Sequence, residues 1–214
     1  MTGRTRAPRG GLNRATIVRA ALELMRAEGL DAVTVRAVAA RLDVRPMALY
    51  THVPSKDDLL AGVFEELLGE IELPDPATAG LPGLRALMVR LFHLLVANPE
   101  LTKVSMGRQS SADREMMFSE TVFAILLSAG TSRREAVGTA ATLMRYTLGS
   151  AVMYPYGQQF DEDPQHWPKL RATLTELPAD RYPAMHSLAD DLPEFTQQQA
   201  FEYGLDLILD RVEP

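Results

Sequence analysis

TVRAVAARLDVRPMALYTHVPSKDDLL, residues 34–60, is the stretch from which the rest of the chain is read. Val35, Val38, Ala39 and Leu42 recur at i, i+3, i+4 and i+7, which places them on one helical face, and Thr34 stands in front as N-cap. Asp43 and Val44 interrupt the pattern. Pro46 falls where a first helical turn has no use for an amide hydrogen, so a second short helix is predicted from Pro46 to about His52. Pro54 stops it and pushes Val53 away from helical angles. Ser55-Lys56-Asp57-Asp58 resembles a capping box and opens a third helix with the stripe Leu59, Leu60, Val63, Phe64, Leu67, Leu68 and Ile71. Two helices joined by a tight turn, the second short and starting with exposed side chains, fit helix-turn-helix geometry, although many helical bundles contain such a corner.

Upstream, residues 1–11 carry Arg4, Arg6 and Arg9 among Gly, Thr and Pro and no acid. A flexible basic arm is expected, either reaching phosphates or a minor groove or serving as a solubilising tail. Leu12 and Asn13 then supply a staple residue and an N-cap. A helix follows from Arg14 to about Glu28, with Ile17, Ala21, Leu24 and Met25 inward and Gly29 as its stop.

The whole chain has 214 residues, 46% hydrophobic and 23% charged, enough for a sizeable core. Its net charge of −6 is unevenly spread. Residues 1–60 hold ten Lys and Arg against six acids, or +4, which leaves −10 for the remainder. The basic end is the helix-turn-helix end, as in a nucleic-acid-reading head on an acidic body. No apolar run approaches the ~18 residues of a membrane span and no signal-peptide core follows the N-terminus, so a cytoplasmic protein is expected. The chain has no cysteine, which excludes disulfides, thiolate metal sites and cysteine nucleophiles.

GLDAVTVRAVAARLDVRPMALYTHVPSKDDLL closely resembles the DNA-binding head of the TetR family of bacterial transcriptional repressors. The likeness covers about residues 12–68; Thr34-Val35-Arg36, Ala39, Leu42, Val44, Leu49-Tyr50, His52, Lys56 and Leu59-Leu60 all fall in step. One departure is Asp43, where the turn usually has glycine; aspartate tolerates left-handed angles better than most residues. The resemblance implies an all-α homodimer whose two heads enter successive major grooves of a palindromic operator, and a small-molecule effector in the larger C-terminal domain that releases the DNA.

It also implies roles for single residues. Arg36 matches a position that reaches a base or phosphate. Arg45, Met47, Ala48 and Thr51 fall on the open side of the recognition helix, Leu49 inward, with Met47 or Ala48 placed for a thymine methyl. Tyr50 and His52 resemble phosphate contacts, His52 serving equally well as a helix C-cap. Lys56 opposes the dipole of the helix it begins, which a phosphate explains better than fold stability. With Thr34, these form the expected DNA-binding set.

Beyond the head, 59–71 reads as a connecting helix and 72–214 as a helical ligand-binding and dimerisation domain, with 12–58 as the DNA-binding domain. ELPDPATAGLPG, residues 72–83, is read as a linker. Helices are predicted over Leu84 to Ala97, from Pro99 to near Gly107, from Ser110 or Ser111 to Gly130, from Ala136 to about Tyr154, and from Pro193 to near Arg211. A loop is expected around Pro155, Gly157, Pro164 and Pro168, followed by short helices at Trp167 to Leu177 and Pro183 to Asp190. Val137, Ala141, Met144, Leu148 and Ala151 make a near-heptad seam with Gly138, Gly149 and Ser150 alongside. The last helix offers Phe201, Leu205, Ile208 and Val212. Periodicity alone fits an internal core as well as a dimer seam; the resemblance favours the dimer, through Val137, Ala141, Met144, Leu148, Phe201, Leu205 and Ile208.

Met88, Phe92, His93, Met106, Met117, Phe118, Met144, Tyr146 and Met153 are candidates to line an effector cavity, methionine adapting to varied apolar shapes, while methionines at helical spacing are also ordinary core. LTKVSMGR and RYTLGSAVMY resemble the C-terminal domain of the tetracycline repressor. Ser105, however, stands where that protein has a histidine that binds the drug's magnesium. A hydrophobic effector is therefore expected, with no metal and no cofactor. The rival readings are a helical ligand-binding or adaptor protein without DNA binding, and an enzyme. Against the latter, His52, His93, His166 and His186 are scattered and no HExxH, GxSxG, Walker or GxGxxG pattern is present.

Overall fold

A computed structural model describes residues 11–106, 113–190 and 196–212, without the side chains of 103–106. The basic arm, the expected helix start at Ser110 or Ser111, and Pro193 therefore lie outside the described residues. Every regular element within them is a helix: α1 (Arg14–Glu28), α2 (Val35–Arg41), α3 (Pro46–Tyr50), α4 (Lys56–Leu68), α5 (Gly80–Ala97), α6 (Pro99–Met106), α7 (Asp113–Ser128), α8 (Arg133–Glu162), α9 (His166–Thr175), α10 (Pro183–Ser187) and α11 (Gln197–Leu209), with a 3-10 turn at Leu30–Ala32. They fall into two compact units, one of Met1–Leu73 with Asn98–Glu120, the other of Pro74–Ala97 with Thr121–Pro214.

In the first unit the local signals act as read. Asn13 caps α1 by accepting from the Thr16 amide at 2.9 Å, and Thr34 caps α2 from Ala37 at 3.1 Å. Gly29, at φ +86°, lets the chain leave α1 in a conformation that side chains resist. Ile17, Ala21, Leu24, Val38, Ala39, Leu49, Leu59 and Val63 are buried and form the core. Ser55 caps α4 by accepting from Asp58 N–H at 3.0 Å. The reciprocal half of a capping box is replaced: the Ser55 hydroxyl donates to the Asp58 carboxylate at 2.8 Å, since aspartate is one methylene shorter than the glutamate that usually reaches back. Helix α3 is shorter than expected, ending at Tyr50 with a turn through His52.

The second unit packs α5, α8 and α11 around Leu84, Leu87, Met88, Leu91, Phe92, Leu143, Thr147, Phe201 and Leu205. Phe92 stacks on Phe201 with centroids 4.0 Å apart, and Tyr146 stacks on the same Phe201 at 5.6 Å, pairs that contribute about 0.5–1.5 kcal/mol each beyond their burial. Helix α5 begins at Gly80, so the linker is shorter than residues 72–83; Pro82 lies in the first turn, where no amide is missed. Although Arg85 and Arg90 interrupt its apolar run, α5 has the length and a mean hydropathy, 1.4, of a candidate membrane span. Leu84, Leu87, Met88, Leu91, Phe92 and Leu95 are buried inside the unit, which makes it a core helix.

Helix α8 runs through Pro155, where a loop was expected. A proline inside a helix forfeits one hydrogen bond and crowds the carbonyl of residue i−4, here Ala151. The flanking turns and the burial of Ala151 and Gly157 hold the helix together. Its start is a full capping box at Ser132 and Glu135, and α11 opens with a second one at Thr196 and Gln199.

Candidate nucleic-acid interface and ligand-binding region

The α2–α3 corner is set by one backbone device. Asp43 has φ +56°, the one positive φ at a non-glycine among the described residues. Val44 N–H reaches back to Ala39 O at 3.0 Å and Asp43 N–H to Ala40 O at 3.2 Å, the hydrogen-bond pair of a Schellman turn with Asp43 at its left-handed position. The turn ends α2 and aims the chain into Pro46, the first residue of α3.

Leu49 is the inward anchor of α3, 1% exposed, while Met47 is 74% exposed two residues earlier. Thr51 closes the helix by donating to Ala48 O at 2.8 Å, so Thr51, not His52, is the C-cap. The His52 side chain is left exposed. Thr34, Arg36, Arg45, Tyr50 and Lys56 are exposed as well, and Ala48 is half-buried.

The head's cations sort by position. Arg14 pairs with Glu65 at 3.0 Å, Arg41 with Glu23 at 3.2 Å, and Arg26 with Glu70. Arg36, Arg45 and Lys56, around the corner, have no carboxylate within ion-pair distance among the described residues. Charges left without an internal partner are the ones available to displace counterions from a phosphate backbone.

The expected effector residues are not brought into one cavity. Met88 and Phe92 are fully buried in the core of the second unit, with the Thr147 hydroxyl against the Met88 sulfur at 3.9 Å. His93 is exposed on α5 beside Phe92, their rings 5.9 Å apart. Met117 and Phe118 belong to the first unit, one exposed and one buried, and the Met106 side chain lies outside the described residues. Tyr146 and Met153 do line a groove of about 380 Å³ between α8 and α11, with Arg145, Gly149, Ser150, Gln197, Ala200 and Phe201. Sequence reasoning missed Arg145, Gln197 and Ala200 there; only the small pair Gly149-Ser150 signalled a close approach.

The expected dimer residues also separate. Val137 is 60% exposed, and Ala141, Met144, Leu148 and Ile208 are half-buried. Phe201 and Leu205 are buried within their own unit, so their side chains present nothing to a second copy. Ala151, assigned to the same seam, is buried too. The inward stripe of α8 is Ala136, Ala140, Leu143, Thr147 and Ala151, mostly one residue displaced from the stripe read as the seam.

One unforeseen contact ties α5 to α11: Arg85 Nε donates to Asp206 at 2.6 Å, and its terminal nitrogen reaches Asp206 and Glu202 at 3.1 Å each. Asp206 is held below the usual carboxylate range by the Arg85 hydrogen bonds, and Glu202 by those from Gln198 and Arg85.

Residues 17–63 match the family described as bacterial regulatory proteins, tetR family, and residues 83–213 match the tetracyclin repressor-like C-terminal domain. The HTH-type transcriptional repressor DrrR1 of Streptomyces coeruleorubidus is 31% identical, over 99% of this chain and 82% of its own length. Tetracycline repressor protein class A from transposon 1721 of Escherichia coli is 29% identical, over 91% of this chain and 88% of its own. Among solved structures, ActR of Streptomyces coelicolor in complex with actinorhodin aligns with a TM-score of 0.73 at 26% identity, over 95% of this chain and 97% of that one. The chain belongs to the TetR family: it is a helix-turn-helix transcriptional repressor with a ligand-binding C-terminal domain, not an enzyme.

Proposed function

We propose that the protein binds a palindromic operator as a homodimer and leaves it when a small, largely hydrophobic effector binds. The observation that carries the DNA half is Met47: a large apolar side chain held in water on the first turn of α3 while Leu49 pins the helix behind it. Arg36, Arg45 and Lys56 flank it with unused charge, and Thr34, Ala48, Tyr50, Thr51 and His52 complete the surface. Arg36 is assigned to a base or phosphate, Met47 and Ala48 to base edges, and Tyr50, His52 and Lys56 to phosphates. Two heads must lie ~34 Å apart to enter successive major grooves.

The dimer is assigned to the open faces of α8 and α11. Exposed Val137, half-buried Ala141, Met144, Leu148 and Ile208, and exposed Tyr203 and Leu207 support this, an apolar surface that costs free energy if left in water. ActR is seen with actinorhodin and with (S)-DNPA, and an effector with hydrophobic character suits the groove that Tyr146, Met153 and Phe201 line in this chain. Operator binding assigns the protein to the cytoplasm.

Fluorescence anisotropy with duplex from the chain's own promoter region tests the reading. Tight binding that falls steeply with salt, weakened by Arg36→Ala, Met47→Ala and Tyr50→Ala, is expected. Binding untouched by all three substitutions, or a strictly monomeric protein by light scattering, overturns it. Thermal-shift screening against hydrophobic metabolites identifies the effector, since a ligand selective for the folded state raises Tm.

A further inference from the structure

We propose that Met47 is a reversible oxidation site through which a peroxide-class oxidant lifts the protein from DNA. The inference rests on the operator-binding reading and adds a means of regulating that same surface. The chain holds ten methionines and no cysteine, so the only sulfur an oxidant can meet is thioether. Accessibility then sorts the sites. Met88 is closed off in the core, with the Thr147 hydroxyl against its sulfur at 3.9 Å. Met47, Met116, Met117, Met153 and Met185 are exposed, and among the described residues Met47, at 74%, is the most open of them.

Placement sets Met47 apart from the other four. It stands on the first turn of α3, directly after Pro46, while Leu49 carries the packing of that helix at 1% exposure. The thioether can therefore change its chemistry and leave the corner between α2 and α3 intact. Arg36, Arg45 and Lys56 flank the same corner, with no carboxylate in ion-pair distance among the described residues. The face thus joins unpaired cations to a large apolar side chain, which suits phosphates with base edges between them.

The chemistry is a two-electron oxygen transfer. A lone pair on Met47 Sδ attacks one peroxide oxygen, the O–O bond breaks, and the second oxygen leaves as water once a proton shifts to it. Sulfur is oxidised and the peroxide reduced. The sulfoxide is polar where the thioether was apolar. Against a thymine methyl it forfeits the apolar contact, and its oxygen gives up water there without gaining a donor. Methionine sulfoxide reductases reverse the step: the oxygen leaves as water while two thiols outside this chain become a disulfide.

Partial oxidation of the full chain with hydrogen peroxide, followed by retention on duplex from its own promoter region, tests this. Peptide mass spectrometry reads each sulfoxide in the retained and unretained pools. Met47 sulfoxide should be about tenfold or more scarcer in the retained pool, the scale of one mismatched base pair. Sulfoxides at Met116, Met117, Met153 and Met185 should divide evenly. The Tm of the oxidised protein should stay within about 2 °C of the untreated value, and the reductases with thiol should restore retention. In Met47→Leu the same dose should change operator affinity by less than about twofold. Met47 sulfoxide spread evenly between the pools, retention lost only as the fold melts, or a loss in Met47→Leu equal to that of native protein overturns the proposal. Untreated protein that is not retained sinks the operator-binding reading and this inference with it, whereas retention indifferent to Met47 sulfoxide sinks this one alone.

Discussion

Tyr146 of α8 and Gly204 of α11 are in direct contact, the phenol filling the space a side chain at 204 would take. Its hydroxyl donates toward the carbonyl oxygens of Ala200 and Phe201, both at 3.1 Å. Gly204→Ala is therefore expected to destabilise the fold by about 1–3 kcal/mol, the range for overpacking a closed contact. Chemical denaturation measures it; a change under about 0.5 kcal/mol would mean the helices separate at little cost.

Burial also holds the Tyr146 phenol above its ordinary value, against an opposing hydrogen bond with Ser150. For a raised pKa the sign is fixed. The contribution to stability is complete below the unfolded value, about 10, and is lost as pH rises through the folded one. The Tm of native protein should thus fall more steeply above about pH 10 than that of Tyr146→Phe.

The fork from Arg85 to Asp206 and Glu202 is part-buried, so exposure discounts its strength, and Arg85→Ala should cost about 1 kcal/mol at neutral pH. Both carboxylates have depressed pKa values. Their stabilisation is present above about pH 4 and disappears as pH falls through the folded values. Urea melts at pH 7 and pH 3 should show the gap between native protein and Arg85→Ala closing at the acid end.

Asp43 bears the left-handed angle of the head's turn. Asp43→Val, β-branched and worst suited to φ +56°, is expected to lower stability by about 1–2 kcal/mol. Asp43→Gly should not lower it. Thermal melts of the two variants decide the point, and equal melts would show that the turn relaxes around any residue.

Lys56 and Met47 should fail differently at the operator. Lys56→Ala should weaken specific and non-specific DNA alike and reduce the salt slope by about 1. Met47→Ala should leave the slope unchanged and weaken operator binding by about 1–3 kcal/mol, the scale of a single base-pair mismatch. Anisotropy titrations over a salt series separate the two; a changed slope for Met47→Ala would place that side chain against the backbone instead.

The head was legible because its rules are local. Asn13, Thr34 and Ser55 cap the helices that follow them by hydrogen bonds spanning three residues. Asp43 was foreseen at a left-handed angle only through the resemblance, whose turn usually has glycine there, while Pro46 was read as a helix start from its own chemistry. The ligand region was less legible. Spacing gives the period of a stripe but not its azimuth. Hence the stripe through Val137, Met144 and Leu148 was read while the inward-facing one at Ala136, Leu143 and Thr147 was missed, and Phe201 and Leu205 were assigned outward though they are core.

Residues 11–60, with caps, turn and helix starts encoded within a few positions of each other, follow from the amino-acid order, because hydrogen bonds between near neighbours cost little chain entropy to close. The course of α8 through Pro155, the fork between Arg85 and Asp206, and the seat of Tyr146 on Gly204 follow only from packing. Their partners lie tens of residues or more apart along the chain or depend on surrounding burial. No local preference specifies such a pair, and only the assembled core brings its members within reach.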